Sequence, residues 1–516
     1  MIRWIVFFFL LAVPGLAQTA LLASSSYEDM RKEVEALAVS GNPRAALVLE
    51  ALQAGRLLSA EGRAYIKSES GEVTDADTGA PASPANTKPI RVNNAVRRAV
   101  DAAMGGIRMF SPDPATRQAA AEAVFKSRDA AALPALNRAL AIEQDSGVRG
   151  TMQEARAASV LADAGAAETD KLAAVATLRA RGDLEVRGVL ASSPGQSPAV
   201  MAAAAEAVSS IDRSLQVWGL LQGAFYGLSL GSVLLLAATG LAITFGVMGV
   251  INMAHGEMVM IGAYVTFVTQ EVIRQHAPGL FGASLFIAIP LAFLVSGALG
   301  VLIERGLIRF LYGRPLETLL ATFGLSLVLQ QAVRSIFGPT NQEVGTPAWM
   351  SGAGKLGQVR LTYNRVAIIV FAFLVLAALM AVLRYTSLGL RMRAVTQNRR
   401  MAAAMGIRTG QIDALTFGLG SGVAGMAGVA LSQIDNVSPN LGQGYIIDSF
   451  MVVVFGGVGN LWGTAIGAIT LGVVNKFLEP VAGAVLGKIV VLVLLILFIQ
   501  RKPRGMFPLR GRAVEA

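Results

Sequence analysis

Apolar residues are concentrated in the second half of this chain, in runs that are long enough to cross a membrane. About 20 consecutive apolar residues cross the hydrocarbon core of a bilayer as a helix. The pattern therefore predicts about eight spans, near residues 216–251, 256–274, 282–303, 317–337, 366–384, 412–433, 445–477 and 484–500.

The first half has the polar and apolar pattern of a water-soluble region. Tyr27 to Ala60 predicts two helices separated by Gly41-Asn42-Pro43, and residues 64–89 predict a short hairpin and a linker at best. Between Pro114 and Ile211 the apolar positions recur at helical spacing, which predicts six further helices. Paired helices of this length favour a HEAT-like solenoid, although Ala-rich helices also build ordinary bundles. We expect a spacer or assembly platform, because no pairing of a nucleophile with a base is visible.

The N-terminus has the features of an export signal. Arg3 precedes an apolar run, Trp4 to Val13, and Pro14 and Gly15-Leu16-Ala17 follow it. Ten apolar residues are too few to span a bilayer, so cleavage after Ala17 is favoured over an uncleaved anchor. The predicted organisation is all-α: a signal peptide at 1–17, an exported helical extension at 18–215 and a membrane domain at 216–516.

Composition agrees with a membrane protein and excludes several kinds of site. The 516 residues are 54% hydrophobic and include no cysteine and two histidines, which excludes disulfides and thiolate metal sites and argues against a histidine-rich one. The excess of positive charge lies in the membrane half, so it indicates topology and not nucleic-acid binding. Three basic segments should be cytoplasmic: Arg305–Arg314, Arg384–Arg408 and the tail from Arg501.

A knot of polar residues, Asn252, His255, Gly256 and Glu257, interrupts the apolar sequence. Asn252 capping a helix that begins near Met253, with Glu257 in its first turn, would explain the knot structurally. A role in a transport pathway or gate is the alternative, because an ionisable group beside so much apolar sequence is costly. Elsewhere charges lie at span ends, which argues against proton coupling and for an external energy source.

Two of the predicted spans, 216–251 and 445–477, do not fit single crossings, and each contains a glycine-rich interruption. These are Phe245–Gly249 and Phe455–Gly459. Interrupted helices at corresponding places in two halves indicate a transport site near the middle of the membrane. We therefore predict a pseudo-repeat with two broken or re-entrant elements, in which Gly249 and Gly459 border the pathway.

Two glycine patterns resemble nucleotide-binding motifs without meeting their requirements. Gly420 to Gly425 fits G-x-G-x-x-G but lies inside an apolar span with no preceding strand, so close helix packing is the favoured interpretation. Gly352-Ala-Gly-Lys355 lacks the first glycine and the Ser/Thr of a phosphate loop. The chain itself is not expected to bind ATP.

Four sequence segments together resemble a known family. They are Gly231 to Glu257 with Gly262-Ala-Tyr264; Arg314-Pro-Leu with Leu319 to Leu327; Met392 to Asn398 with Ala402 to Ile407; and Phe455 to Gly467. Over about residues 220–505, in the same order, the chain resembles the inner-membrane permeases of branched-chain amino-acid and urea ABC importers. The urea-type subunit is similar to this chain in carrying a signal peptide and an exported helical extension of this size.

The resemblance implies a permease subunit without enzymatic activity or cofactor, in the bacterial inner membrane with its N-terminal domain periplasmic and its C-terminus cytoplasmic. Its expected partners are a periplasmic binding protein for urea or a short amide, a second homologous permease and two cytoplasmic ATPases. Alternatives are a branched-chain amino-acid permease, a passive urea or amide channel and a membrane-anchored scaffold.

The candidate functional residues form two sets. Those of the pathway, besides Gly249 and Gly459, are Thr244, Asn252, His255, Glu257, Thr322, Ser326 and Gln330. Those for contact with the ATPase lie on a basic loop with a short Ala-rich helix, Arg399 to Met405: Arg391, Arg393, Arg399, Arg400, Ala403 and Gly406. Without the family resemblance, this loop would equally be a solvated basic loop that follows the positive-inside rule.

Overall fold

The computed structural model describes residues 22, 26–39, 44–68, 71–192 and 196–507. The predicted signal peptide lies outside the described residues. The chain divides into two compact units, Met1–Gln216 and Val217–Ala516.

The N-terminal unit begins with a small mixed region. Its helices are α1 Tyr27–Val39, α2 Ala45–Gln53 and α3 Asn94–Arg108, and its strands are β1 Leu57–Ala60, β2 Arg63–Lys67, β3 Val73–Asp75 and β4 Lys88–Pro89. The strands form one antiparallel sheet in the order β3-β2-β1-β4.

This sheet corrects the prediction in three places. The segment up to Ala60 is not helical, because the chain turns at Gly55, with φ +69°, and buries Leu57 in the core from a strand. The predicted linker supplies β4, and α3 was not predicted. The N-terminal unit is therefore not all-α.

Five of the six predicted helices from Pro114 onward are confirmed within a few residues, whereas the sixth, predicted to end at Ile211, continues to Met248. Three of these helices are capped at the N-terminus by an aspartate whose side chain accepts backbone hydrogen bonds: Asp113, Asp145 and Asp183. The HEAT-like arrangement and the exported location stay predictions. The helices are α4 Pro114–Ser127, α5 Leu133–Ile142, α6 Ser146–Ala162, α7 Glu168–Arg181, α8 Leu184–Ala191 and α9 Pro198–Met248.

The second unit consists mainly of long apolar helices. Six described helices are long and apolar enough to cross a membrane. After α9 follow α10 His255–His276, α11 Ser284–Gly306, α12 Pro315–Phe337, the hairpin β5 Ala353–Leu356 and β6 Val359–Thr362, α13 Tyr363–Tyr385, α14 Ser387–Gln397, α15 Arg399–Ala404, α16 Thr409–Leu431, α17 Leu441–Gly456 and α18 Leu461–Arg501.

The two predicted interruptions occur as breaks between helices. Helix α9 runs unbroken to Met248, so the first glycine-rich segment ends a helix and does not interrupt one. The second predicted interruption, Phe455–Gly459, lies where α17 ends at Gly456 and α18 begins at Leu461.

Helix α18 contains a reversal of the chain. Its backbone is non-helical at Gly483, with φ +77°, and Gly487 then lies against Leu478. Beyond the helix, the amide of Phe507 donates to the carbonyl of Gly456 at 3.1 Å. The two ends of α18 therefore lie at the same end of the unit, as the separate predicted span at 484–500 requires.

Helix α16 packs against three helices at backbone distance. A Cβ atom added at Gly428 would lie 2.0 Å from the carbonyl oxygen of Val259 on α10, and one at Gly420 would lie 2.6 Å from the carbonyl oxygen of Gly240 and from Cγ2 of Thr244 on α9. A Cβ atom added at Gly425 would lie equally close to the side chain of Ser296 on α11. The packing interpretation of these glycines is confirmed, because only residues without a side chain permit such contacts.

Candidate functional site

Helix α12 has an inverted distribution of polar and apolar residues. Its exposed face is apolar, with Leu316 82% and Leu320 71% exposed. The buried face carries the polar residues Thr318, Thr322, Ser326 and Gln330, four residues apart. Positions separated by four form a continuous ridge on a helix surface. We call this set the polar ridge. An apolar outer face and a polar inner face are typical of a helix between lipid and a polar pathway.

The carboxylate of Glu257 lies against the middle of the polar ridge. It is 1% exposed, and its Oε1 accepts hydrogen bonds from the Ser326 hydroxyl at 2.8 Å and from Nε2 of Gln330 at 2.7 Å. Its second oxygen, Oε2, has no hydrogen-bond partner in the described part of the chain. Because buried polar atoms are nearly always satisfied, this oxygen is available to a ligand or to water.

The other polar residues of the knot bind the backbone around it. Nε2 of His255 lies 2.9 Å from the carbonyl oxygen of Ala237, and the ring is 1% exposed. The side chain of Asn252 accepts from the amide of Ala254 at 3.0 Å. The helix begins at His255, so the prediction that Asn252 caps a helix starting near Met253 was wrong by two residues. Asn252 stabilises the turn before the helix.

The knot lies halfway along the helices that surround it. Ser326 is the middle residue of α12, and Ser296, which donates to the Met258 carbonyl at 3.3 Å, lies near the middle of α11. The amide of Met253 reaches the hydroxyl of Thr322 at 3.1 Å. Helix α10 therefore begins inside the bundle of apolar helices and directs its N-terminus at the site. Discontinuous helices of this kind form the binding sites of many transporters.

A second helix N-terminus borders the same site. The first turn of α17 contacts that of α10, since a Cβ atom at Gly256 would lie 2.4 Å from the carbonyl oxygen of Gly442. From the same turn, Nε2 of Gln443 donates to Oε1 of Gln330 at 3.4 Å. Arg334 donates to Asn440 at 2.5 Å. Polar side chains thus continue from Glu257 to the last turn of α12.

Sequence reasoning missed three of these residues. Arg334 could have been found, because it continues the spacing of four after Gln330. Asn440 and Gln443 precede and open an apolar helix, and no sequence pattern relates them to α12.

Three predicted pathway residues lie elsewhere. The hydroxyl of Thr244 donates to carbonyl oxygens of its own helix, at 3.1 and 3.3 Å. Gly249 and Gly459 have φ values of +69° and +80° in the breaks after α9 and before α18. The two glycine-rich segments do meet, because a Cβ atom at Gly246 would lie 2.5 Å from the Cα of Gly459. They meet at the end of α9 and not beside Glu257.

The predicted coupling loop forms two short helices, α14 and α15. Gly406, with φ +86°, follows the second helix as predicted, and Arg391, Arg393, Arg400 and Ala403 are exposed. Arg399 differs from them, because it pairs with a buried carboxylate of the chain itself, Asp413. The exposed apolar residues of α15 and its end are Met401 and Met405.

Charged residues are not confined to the ends of the spans, contrary to the expectation from sequence. Asp448 on α17 is 4% exposed and receives a hydrogen bond from Nζ of Lys488 at 2.9 Å. The pairing explains why this buried carboxylate is tolerated. It forms an ion pair and not a relay.

The long apolar helices, the discontinuous α10 and the buried polar site together define a polytopic membrane permease. Residues 223–499, more than half of the chain, match the family described as "Branched-chain amino acid transport system / permease component". The chain belongs to this family. It is therefore a permease component of an ABC importer and not itself an enzyme, and the family works in a membrane with ATPase and substrate-binding partners.

Curated relatives match somewhat more than half of this chain, over most of their own length. The chain is 31% identical to the high-affinity branched-chain amino acid transport system permease protein BraD of Pseudomonas aeruginosa, over 56% of this chain and 96% of the relative. It is 32% identical to LivH of Escherichia coli K12, over 55% and 94% of the two chains. A probable LivH of Methanocaldococcus jannaschii is 24% identical over 53% and 88%. No solved structure matches the chain.

Proposed function

We propose that this subunit lines half of the pathway of an ABC importer for urea or related short amides, and that the substrate passes along the polar ridge of α12 and past Glu257. The observation on which the proposal depends is the buried carboxylate oxygen of Glu257 that has no hydrogen-bond partner among the described residues. A substrate with several N–H groups can donate to this oxygen, while the hydroxyls and amides of the ridge replace its hydration.

The chemistry around Glu257 supports a neutral substrate. Its side-chain hydrogen bonds are with a hydroxyl and an amide, and Gln443 adds a second amide. The ammonium group of a branched-chain amino acid would also suit the carboxylate of Glu257, but the amino acid would bring a second carboxylate to the same site and would leave an apolar side chain against amide groups. Urea has four N–H donors, one carbonyl acceptor and no charge, so it matches these partners.

The N-terminal unit is the second support for the urea assignment. The family match begins at residue 223, and the relatives named for branched-chain amino acids are covered almost completely by little more than half of this chain. A helical extension of this size before the permease domain resembles the urea-type subunit. On this proposal the unit is periplasmic and follows a cleaved signal peptide.

The remaining partners follow from the same proposal. A binding protein delivers the substrate on the exported side, a second homologous permease completes the pathway, and two ATPases contact the loop that contains α14 and α15. The apolar side chains of Met401 and Met405 and the charge of Arg400 are exposed on that loop, so they suit a groove with an apolar floor and acidic margins.

Uptake by a pair of matched variants tests the pathway. Gln330→Leu removes a donor to the buried carboxylate, and hydrogen bonds to charged groups contribute roughly 1.5–3 kcal/mol, about ten- to a hundredfold in rate. Gln331→Leu is the control, because that neighbouring side chain is exposed on the apolar face. With the complete importer, urea uptake per inserted molecule should fall at least tenfold only for Gln330→Leu. Equal uptake by both variants would refute the ridge as the pathway.

Branched-chain amino acids are the second candidate substrate, favoured by the names of the relatives. Competition decides between the two. Excess unlabelled leucine should leave the uptake of labelled urea unchanged, whereas uptake of labelled leucine that urea does not compete with would assign the amino acid.

A further inference from the structure

The ion pair between Arg399 and Asp413 connects the short helix α15 to the second turn of α16. Nη1 of Arg399 donates to Oδ1 of Asp413 at 3.1 Å, and Nη2 donates to Oδ2. Asp413 is fully buried, whereas 42% of the arginine side chain is exposed. Burial alone would lower the pKa of Arg399, but the hydrogen bonds and charge of Asp413 raise it above its ordinary value, so the guanidinium stays charged.

The same arginine also contacts the end of α11. Its guanidinium carbon lies 4.9 Å from the centre of the Tyr312 ring, and the Tyr312 hydroxyl donates to Oε1 of Glu304 at 3.1 Å. Burial raises the pKa of Tyr312 well above its usual range, and the charges of Asp413 and Glu304 add to the effect. The hydroxyl therefore remains a donor. Glu304, in the last turn of α11, is 1% exposed.

Helix α16 leads from this ion pair to the candidate site. Gly428 lies 15 residues after Asp413, or about 22 Å along a helix. There it contacts the backbone of Val259, in the helical turn that follows Glu257. Contacts between backbones leave no flexible side chain to absorb a displacement, so a shift of α16 moves the start of α10.

We propose that the Arg399–Asp413 pair is the connection through which movement of α15, driven by the ATPase, reaches α16 and the start of α10. The proposal rests on the proposed function, since it requires α15 to contact an ATPase. Arg399 and Asp413 then act as positioning residues, because neither touches the substrate or the nucleotide. This role differs from that of Arg400, which is exposed on the same helix and suits direct contact with the partner.

The test compares urea uptake with ATP hydrolysis in the assembled importer. The double variant Arg399→Gln/Asp413→Asn removes both charges, so no buried charge is left unpaired. The matched control is Glu271→Gln/Arg274→Gln, which removes both charges of an exposed ion pair in the last turns of α10, outside the loop that contains α14 and α15. For the double variant we expect assembly and basal hydrolysis within about twofold of the natural protein, and at least a tenfold loss of urea taken up per ATP hydrolysed. The control should keep its uptake per ATP.

A cysteine pair provides a second measurement. The chain has no cysteine, so Arg399→Cys/Asp413→Cys introduces the only two thiols of this subunit. A thiol-specific cross-linker about as long as an arginine side chain should restore uptake per ATP, and the same protein before cross-linking should resemble the neutral double variant.

The outcomes separate the proposed linkage from the proposed function. Normal uptake per ATP in the assembled double variant would overturn the linkage. If that variant fails to assemble, the cysteine pair decides, and equal uptake per ATP with and without the cross-linker overturns it. If the unmodified importer shows no urea-stimulated hydrolysis at all, the proposed function has failed first.

Discussion

Gly428→Ala tests whether the contact between α16 and α10 is as close as the structure shows. The added methyl carbon would lie 2.0 Å from the carbonyl oxygen of Val259 and 2.7 Å from the amide nitrogen of Ala263. Ordinary carbon–oxygen contacts are about 3.3 Å or longer, so the helices would have to separate by roughly 1 Å. Further contacts at Gly420 and Gly425 oppose that separation. Overpacking of this kind costs about 3 kcal/mol, roughly a hundredfold in the folded-to-unfolded ratio.

Gly324→Ala is the matched control for this substitution. Gly324 lies in α12, and a Cβ atom there would meet nothing within 4 Å. Alanine in place of a helical glycine should stabilise the protein by roughly 1 kcal/mol. The two variants should therefore shift the midpoint of unfolding by a denaturing detergent in opposite directions. A midpoint for Gly428→Ala equal to that of the natural protein would refute the backbone contact.

Three further predictions concern other parts of the chain. Gly459→Val should lower the amount of inserted protein and leave uptake per inserted molecule unchanged, because its φ of +80° and its contact with Gly246 leave no room for a side chain. Normal insertion with reduced uptake per inserted molecule would instead indicate that the pathway passes between the two glycine-rich segments. The hydrogen bond from Arg117 lowers the pKa of Glu143 below its ordinary 4.5, so the pair stabilises the N-terminal unit above that pH and loses this effect as the pH falls through the lowered pKa. In thermal unfolding followed by circular dichroism, Arg117→Leu should therefore differ from the natural protein at pH 7, and the difference should shrink as the pH falls progressively below 4.5. A reporter fused at Ala353 should report the exported side and one at Gln397 the cytoplasm, and the opposite pattern would contradict the topology.

The membrane helices could be predicted because each carries its own signal. A run of about 20 apolar residues indicates a helix wherever it lies, and the glycines of α16 indicated close packing by their spacing alone. The strands of the N-terminal unit gave no such signal. Residues 57–60 lie beside helical sequence, and only their pairing with β2 and β4 makes them a strand. Pairing between distant residues is not visible in a local pattern.

The candidate site was partly predictable for the same reason. Glu257 and Ser326 could be selected because polar residues inside apolar runs need an explanation. Their contact across 69 residues could not be derived, and neither could the approach of Gln443. Arg399 shows the opposite error, since a basic residue in a cytoplasmic loop suggests an exposed contact until its buried partner is known.

The two faces of α12 have different requirements. Insertion into the bilayer depends on the outward leucines, phenylalanines and valines, whereas on the proposed function the inward ridge contacts the substrate. Substitutions on the ridge can therefore change what is carried without changing how the helix enters the membrane. Related importers can change their substrate specificity through residues on one face of a single helix, while the assembly of the protein in the membrane stays the same.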